Sequence, residues 1–145
     1  MERVVRYQGA IIQDGNILLV KQRHGESEYE WWNIPGGGRE AGETENQCIL
    51  RELKEETNMD VRVEGLLIDG PSHRHSPYQR FKTYLCTPIG GNIKPDDTES
   101  IDVRWFDLND KSQCSLEVLN NETSFVMLQR IRKALARLGC RQIVG

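Results

Sequence analysis

The stretch from Gly36 to Met59, GGGREAGETENQCILRELKEETNM, constrains this chain more than any other part of it. Three consecutive glycines follow Ile34-Pro35. A backbone without Cβ atoms can adopt positive φ, or lie close to a ligand or a neighbouring strand. Thr44 and Gln47 then stand at the spacing of a capping box, and Asn58 is a residue that tolerates the left-handed conformation. These signals predict a helix that starts at Thr44 and runs to about Thr57, with Asn58 as its stop. A glycine-rich loop set directly against a helix N-terminus is the expected local structure.

At about 100° per residue, Ile49, Leu50, Leu53 and Thr57 fall on one side of this helix, and Glu52, Glu55 and Glu56 on another, roughly 120° away. The first face is expected to meet a core and the second to gather its carboxylates in open space. Like charges three and four residues apart cost about 0.2 to 0.5 kcal/mol per pair on an exposed helix. Something cationic should therefore sit among them. Arg51 and Lys54 lie at the edges of that face, whereas a hard divalent ion, Mg²⁺ or Mn²⁺, prefers carboxylate oxygens and is the sharper reading. A plain solvated acidic face is the alternative, and it leaves the glycines unexplained.

Gly37, Glu43, Arg51, Glu52, Leu53, Glu55, Glu56 and Met59 match, position for position, the box of the Nudix (MutT-like) hydrolases. Only Asn58 departs, standing where that family has glycine. The resemblance implies an α/β fold, the Nudix α/β/α sandwich with a mixed β-sheet between helices, as a single domain over residues 1–145. It also implies an Mg²⁺-dependent hydrolase that cleaves the diphosphate linkage of a nucleoside diphosphate joined to a further group. Glu52, Glu55 and Glu56 would then be metal ligands, with a backbone carbonyl near Gly36-Gly37 joining them. Glu52 or a neighbouring glutamate would take a proton from the attacking water, and Arg51 would pair with Glu43 to hold loop and helix in register. A further carboxylate is expected from the acidic loop before a later strand. Glu99 is the first candidate there and Asp102 the second, with Asp96 a third; solvated loop acids are the alternative.

Nucleoside triphosphates, oxidised ones included, head the implied substrates. ADP-ribose, other nucleotide sugars and dinucleoside polyphosphates follow. A non-catalytic module of the same fold that senses a nucleotide is the reading from another class, and the intact acidic set argues against it. Proteins resembling this one are commonly homodimers.

Composition narrows the partners. The net charge is −3 and no basic run forms a footprint for long nucleic acid, so an acidic phosphate substrate calls for metal ions as mediators. No stretch approaches the roughly 18 apolar residues of a membrane span, and MERVVRYQGAII lacks the pattern of a signal peptide, so a cytoplasmic location is expected. Cys48, Cys86, Cys114 and Cys140 are scattered without a CxxC pair, and reduced thiols are the expectation.

The rest of the chain reads as strands and one more helix. Val4 to Ile12 and Ile17 to Val20 flank Asp14-Gly15, a hairpin signal. Trp31 to Pro35 reads as a short extended segment, with Trp32 packing and Trp31 facing the other way. Val61 to Ile68, Gln79 to Cys86 and Ile101 to Phe106 read as strands, with Gly70 to Ser72 breaking the first and Pro88 to Glu99 forming a loop. His73 and His75 lack a third ligand for zinc and read as loop residues. Phe125, Leu128, Ile131, Leu135 and Leu138 form the apolar stripe of a helix from Glu122, with Gly139 as its stop.

Overall fold

The hairpin at Asp14-Gly15 sets the first two strands. Asp14 (φ 53°) and Gly15 (φ 80°) both take positive φ, which is what a two-residue turn between twisted strands requires. The turn joins β1 (Val5–Gln13) to β2 (Asn16–Arg23). The structure is a computed structural model that describes residues 4–23, 30–72, 76–96, 100–109 and 122–139, with side chains in the last helix from Met127 to Leu138.

Then come β3 (Glu30–Asn33), β4 (Gly36–Gly38), α1 (Glu45–Thr57), β5 (Met59–Pro71), β6 (Arg80–Gly91), β7 (Ser100–Asp107) and α2 (Glu122–Gly139). The seven strands form one mixed sheet in the order β3-β2-β1-β6-β5, with β4 beside β1 and β7 beside β2. Pairing is antiparallel except between β1 and β6, which run parallel from Val5–Arg80 to Ile11–Cys86. β1 meets β2 at Ile12–Ile17 and Gln13–Asn16, beyond which the two strands part. β4 then takes the freed side of β1 at Arg6–Gln8, and β3 takes β2 at Val20–Arg23.

Alternation along the strands builds two cores, one on each side of the sheet. Tyr7, Ile11, Leu18 and Val20 point one way and pack with Cys48, Ile49 and Leu53 of α1. Ala10, Ile17, Leu19, Trp32 and Phe106 point the other way and pack with Leu128 and Ile131 of α2. Burying each Leu or Ile of this kind is worth about 1.5 to 3 kcal/mol, so the two helices are held by apolar area. The result is the helix–sheet–helix sandwich. Among the described residues no helix is long and apolar enough to cross a membrane, and Cys48 and Cys86 are buried free thiols.

Some boundaries differ from the sequence reading. β6 does not stop at Cys86 but runs through Pro88 to Gly91. Past Cys86 the strand has left β1 behind and keeps only β5 as partner, with Val61 opposite Pro88 beside a register shift. A missing N–H costs little in such a place. β5 begins at Met59, directly after the helix stop, and continues through Gly70 to Pro71. α2 includes Gly139 rather than ending before it. His73, His75, Glu99 and the side chain of Phe125 lie outside the described residues.

Candidate active site

Local sequence fixes α1 at both ends. Thr44 is the N-cap: its Oγ1 accepts the Gln47 N–H at 3.1 Å, and Gln47 Oε1 accepts the Thr44 N–H at 2.8 Å. Asn58 ends the helix at φ 64°, its N–H donating to Lys54 O at 2.9 Å. Asparagine thus fills the left-handed position without a glycine.

The glycines serve by close approach and not by positive φ. None of Gly36, Gly37 and Gly38 has positive φ; they form β4 against Tyr7 and its neighbours. A Cβ on Gly36 would run into the Tyr7 carbonyl and lie 2.6 Å from Gln8 Cα. On Gly37 it would lie 2.6 Å from Glu52 Cδ and 2.8 Å from Glu52 Oε2. The bare strand leaves a shelf on which a carboxylate of α1 rests.

That shelf alters the expected exposure of the acids. Glu52 (8 % exposed) and Glu56 (1 %) are buried, and only Glu55 projects into open space. The apolar face is shifted correspondingly: Cys48 is buried, whereas Leu50 is 43 % exposed. The reason is that α1 packs on glycines along one edge, where short strand backbone makes room for longer polar side chains. Glu56 Oε2 accepts the Gly36 N–H at 2.7 Å, Oε1 accepts Gln22 Nε2 at 3.3 Å, and its backbone carbonyl accepts Ser100 Oγ at 2.9 Å.

Arg51 is central, not at the edge of the acidic face. Its Nε and Nη2 form a fork on Glu43, at 2.6 and 2.9 Å, and Nη2 also donates to Gly38 O at 3.2 Å. Its Nη1 faces Glu52 at 2.9 Å, Glu55 at 3.4 Å and Glu40 at 3.6 Å. The Arg51 guanidinium holds the Glu43 carboxyl down to about 2, far below its ordinary value. Its own pKa is raised by the Glu43 hydrogen bonds. Glu52 goes the other way: burial raises its carboxyl pKa in spite of Arg51, because desolvation outweighs the one ion pair. Burial likewise pushes the Cys48 thiol, whose Sγ lies 3.8 Å from Gly37 O, up to about 12.

One guanidinium thus faces Glu40, Glu43, Glu52 and Glu55, with buried Glu56 on the neighbouring turn. Among the described residues no three His, Cys, Asp or Glu side chains stand together as a preassembled metal cluster. The donor set nevertheless fits a hard divalent cation by chemistry and charge. All its donors are oxygens, the negative charge exceeds the positive, and Glu52 carries its charge in a place that disfavours it.

Of the two described loop candidates, Asp102 lies on the other face of the sheet, and Asp96 is joined to Glu56 through Ser100, whose Oγ donates to the Glu56 carbonyl at 2.9 Å and lies 3.4 Å from Asp96 Oδ1. Asp96 Oδ1 accepts the Ser100 N–H at 2.9 Å at the start of β7. Asp102 accepts Val103 N and Arg104 Nη2, and it shares a strand face with Arg104 and Phe106 on the α2 side of the sheet. Gln22, Asn33, Ser100 and Glu40 escaped the sequence reading. Gln22 alone carried a signal: it follows Leu18 and Val20 on the inward parity of β2, where a polar residue needs a partner.

The model of the family described as NUDIX domain matches residues 5–131. The NAD-capped RNA hydrolase NudC of Vibrio atlanticus is 34% identical over 99 residues, covering 68% of this chain and 35% of that protein. The ADP-ribose pyrophosphatase of Methanocaldococcus jannaschii is 32% identical over 107 residues, covering 72% of this chain and 62% of the relative. The chain therefore spans less than two thirds of the length of either. Among solved structures, an ADP-ribose pyrophosphatase from Streptococcus suis shares the fold, with a TM-score of 0.72 over 94% of this chain and 92% of that one at 24% identity.

Proposed function

The chain belongs to the Nudix family, and from that premise we propose that it hydrolyses the diphosphate linkage of a nucleoside diphosphate joined to a further group, using Mg²⁺ or Mn²⁺. The observation that carries this reading is the shelf itself: buried Glu52 and Glu56 against a glycine strand, with Glu55 open beside them. Glu52, Glu55, Glu56 and the Gly37 carbonyl would hold the cation. Bound there, it supplies charge neutralisation on the phosphate oxygens and acidifies water.

The remaining roles fall to the chain's own groups. Glu52 takes the proton of the attacking water, a role supported by the raised pKa that burial gives its carboxyl. Arg51 orients Glu52 through Nη1 while its other two nitrogens stay locked on Glu43. Loop and helix are thereby tied at the point where the acid acts. A further carboxylate from the acidic loop before β7 would join these three, with Glu99 the first candidate.

Among substrates we put ADP-ribose and related two-part nucleoside diphosphates first, ahead of the nucleoside triphosphates that head the motif's implications. Relatives named for ADP-ribose and for NAD-capped RNA support that order. The test is a panel of ADP-ribose, nucleoside triphosphates, sugar nucleotides and dinucleoside polyphosphates with Mg²⁺ or Mn²⁺. AMP and ribose 5-phosphate from ADP-ribose are the expected products. Nucleotide binding without turnover of any compound would instead make the protein a sensing module.

A further inference from the structure

Two amides, one on β2 and one on β3, hold Glu56 from the face of the sheet that its own helix covers. Gln22 Nε2 donates to Glu56 Oε1 at 3.3 Å. Gln22 Oε1 in turn accepts Asn33 Nδ2 at 3.2 Å, and Asn33 Oδ1 accepts the Ile34 N–H at 2.9 Å. The direction of this chain is forced at its start, because a backbone N–H can only donate. Asn33 must turn its oxygen to Ile34 and its amino group to Gln22. Gln22 must then turn its oxygen to Asn33 and its amino group to Glu56.

The register supports the same arrangement. Gln22 pairs with Trp31 and Val20 with Asn33 across β2 and β3, so both amides are set by strand pairing and not by a loop. The Gly36 N–H, donated at 2.7 Å from just beyond β3, meets the other oxygen of the same carboxylate.

Resting on the reading of Glu56 as a cation-holding group, we propose that Gln22 and Asn33 are positioning residues: an amide relay that fixes the Glu56 carboxylate in one orientation for the divalent cation. An amide donor on a ligating carboxylate limits its rotation and holds its oxygens where the cation meets them. Losing such a contact typically lowers metal affinity about 10- to 100-fold.

The experiment measures Mn²⁺ binding to the whole chain without nucleotide, by the electron paramagnetic resonance of free Mn²⁺, with thermal unfolding run beside it. Gln22→Met keeps the length and removes the donor. Asn33→Asp keeps the shape and still accepts from Ile34, but it cannot donate to Gln22, whose amide then turns its oxygen toward Glu56. Each is expected to weaken Mn²⁺ binding about tenfold or more. The double variant should be no weaker than Gln22→Met alone, because the two act in series. Wild-type affinity in both single variants, or losses that simply add, would overturn the relay while leaving the cation reading intact. A wild-type chain that takes up no Mn²⁺ would overturn both.

Discussion

Adjacent glycines in β4 should fail in different ways when given a methyl group. Neither Gly36 nor Gly37 has positive φ, so alanine meets no backbone strain at either, and the outcome depends on what the new Cβ touches. At Gly36 it meets the backbone of Tyr7 and Gln8, which cannot turn aside. The 2.6 Å approach to Gln8 Cα is roughly 0.9 Å inside the ~3.5 Å at which carbon atoms rest, so β4 must leave β1. Overpacking of this kind costs about 3 kcal/mol at the upper end. For a domain of this size that lowers Tm by roughly 6 to 12 °C.

At Gly37 the obstacle is the end of a flexible side chain, the carboxylate of Glu52. It can swing away, so stability should change little while the acid is displaced by about 1 Å. A displacement of that size costs on the order of a hundredfold in rate, or about 2.7 kcal/mol of barrier. The Gly37 carbonyl is retained in the variant, so the loss reports on Glu52. The assay is kcat/KM on the best substrate of the panel together with Tm for both variants. Gly37→Ala with near wild-type turnover, or Gly36→Ala with an unchanged Tm, would refute the reasoning.

Glu55→Gln should lose at least about a hundredfold in kcat with Mg²⁺, and since Glu55 is exposed its Tm should stay at the wild-type value; Glu56→Gln should lose activity and Tm together, because an amide accepts the Gly36 N–H less strongly than a carboxylate does. Turnover near wild type in either would contradict the assignment. Glu43, with its folded pKa lowered from 4.5 to about 2 by Arg51, contributes stability that is fully present above pH 4.5 and is lost as pH falls toward 2. Urea unfolding between pH 5 and 2 should accordingly show a steeper decline for wild type than for Glu43→Gln, and equal slopes would count against the pair. Thr44→Ala removes the capping box and should cost about 1 kcal/mol without changing kcat, as read by Tm and by turnover at saturating substrate.

The helix was legible because its signals are local. Thr44, Gln47 and Asn58 act within a few residues of themselves, and the structure has them doing so. What could not be read was the helix's surroundings. An ideal wheel assigns Leu50 to the core, but the side of α1 that is covered depends on where β4 lies, and β4 is three glycines with no side chain to announce a face. The same gap hid the burial of Glu52 and Glu56 and the position of Arg51 among four carboxylates. Strand ends were misjudged where pairing changed partner, as at Pro88. Gln22 and Asn33 could be found only once β2 and β3 were in register.

The parallel pairing of β1 with β6 also governs how the molecule is made. Val5 and its partner Arg80 are 75 positions apart, so a chain emerging from a ribosome completes the hairpin and α1 well before the centre of the sheet can close. Until then both apolar faces of β1 have no finished layer to enter. Distant pairings of this sort slow folding relative to local ones. The nascent protein must therefore carry a sticky, half-built sheet for the time it takes to synthesise β5 and β6, and it is in that interval that a chaperone would find most to hold.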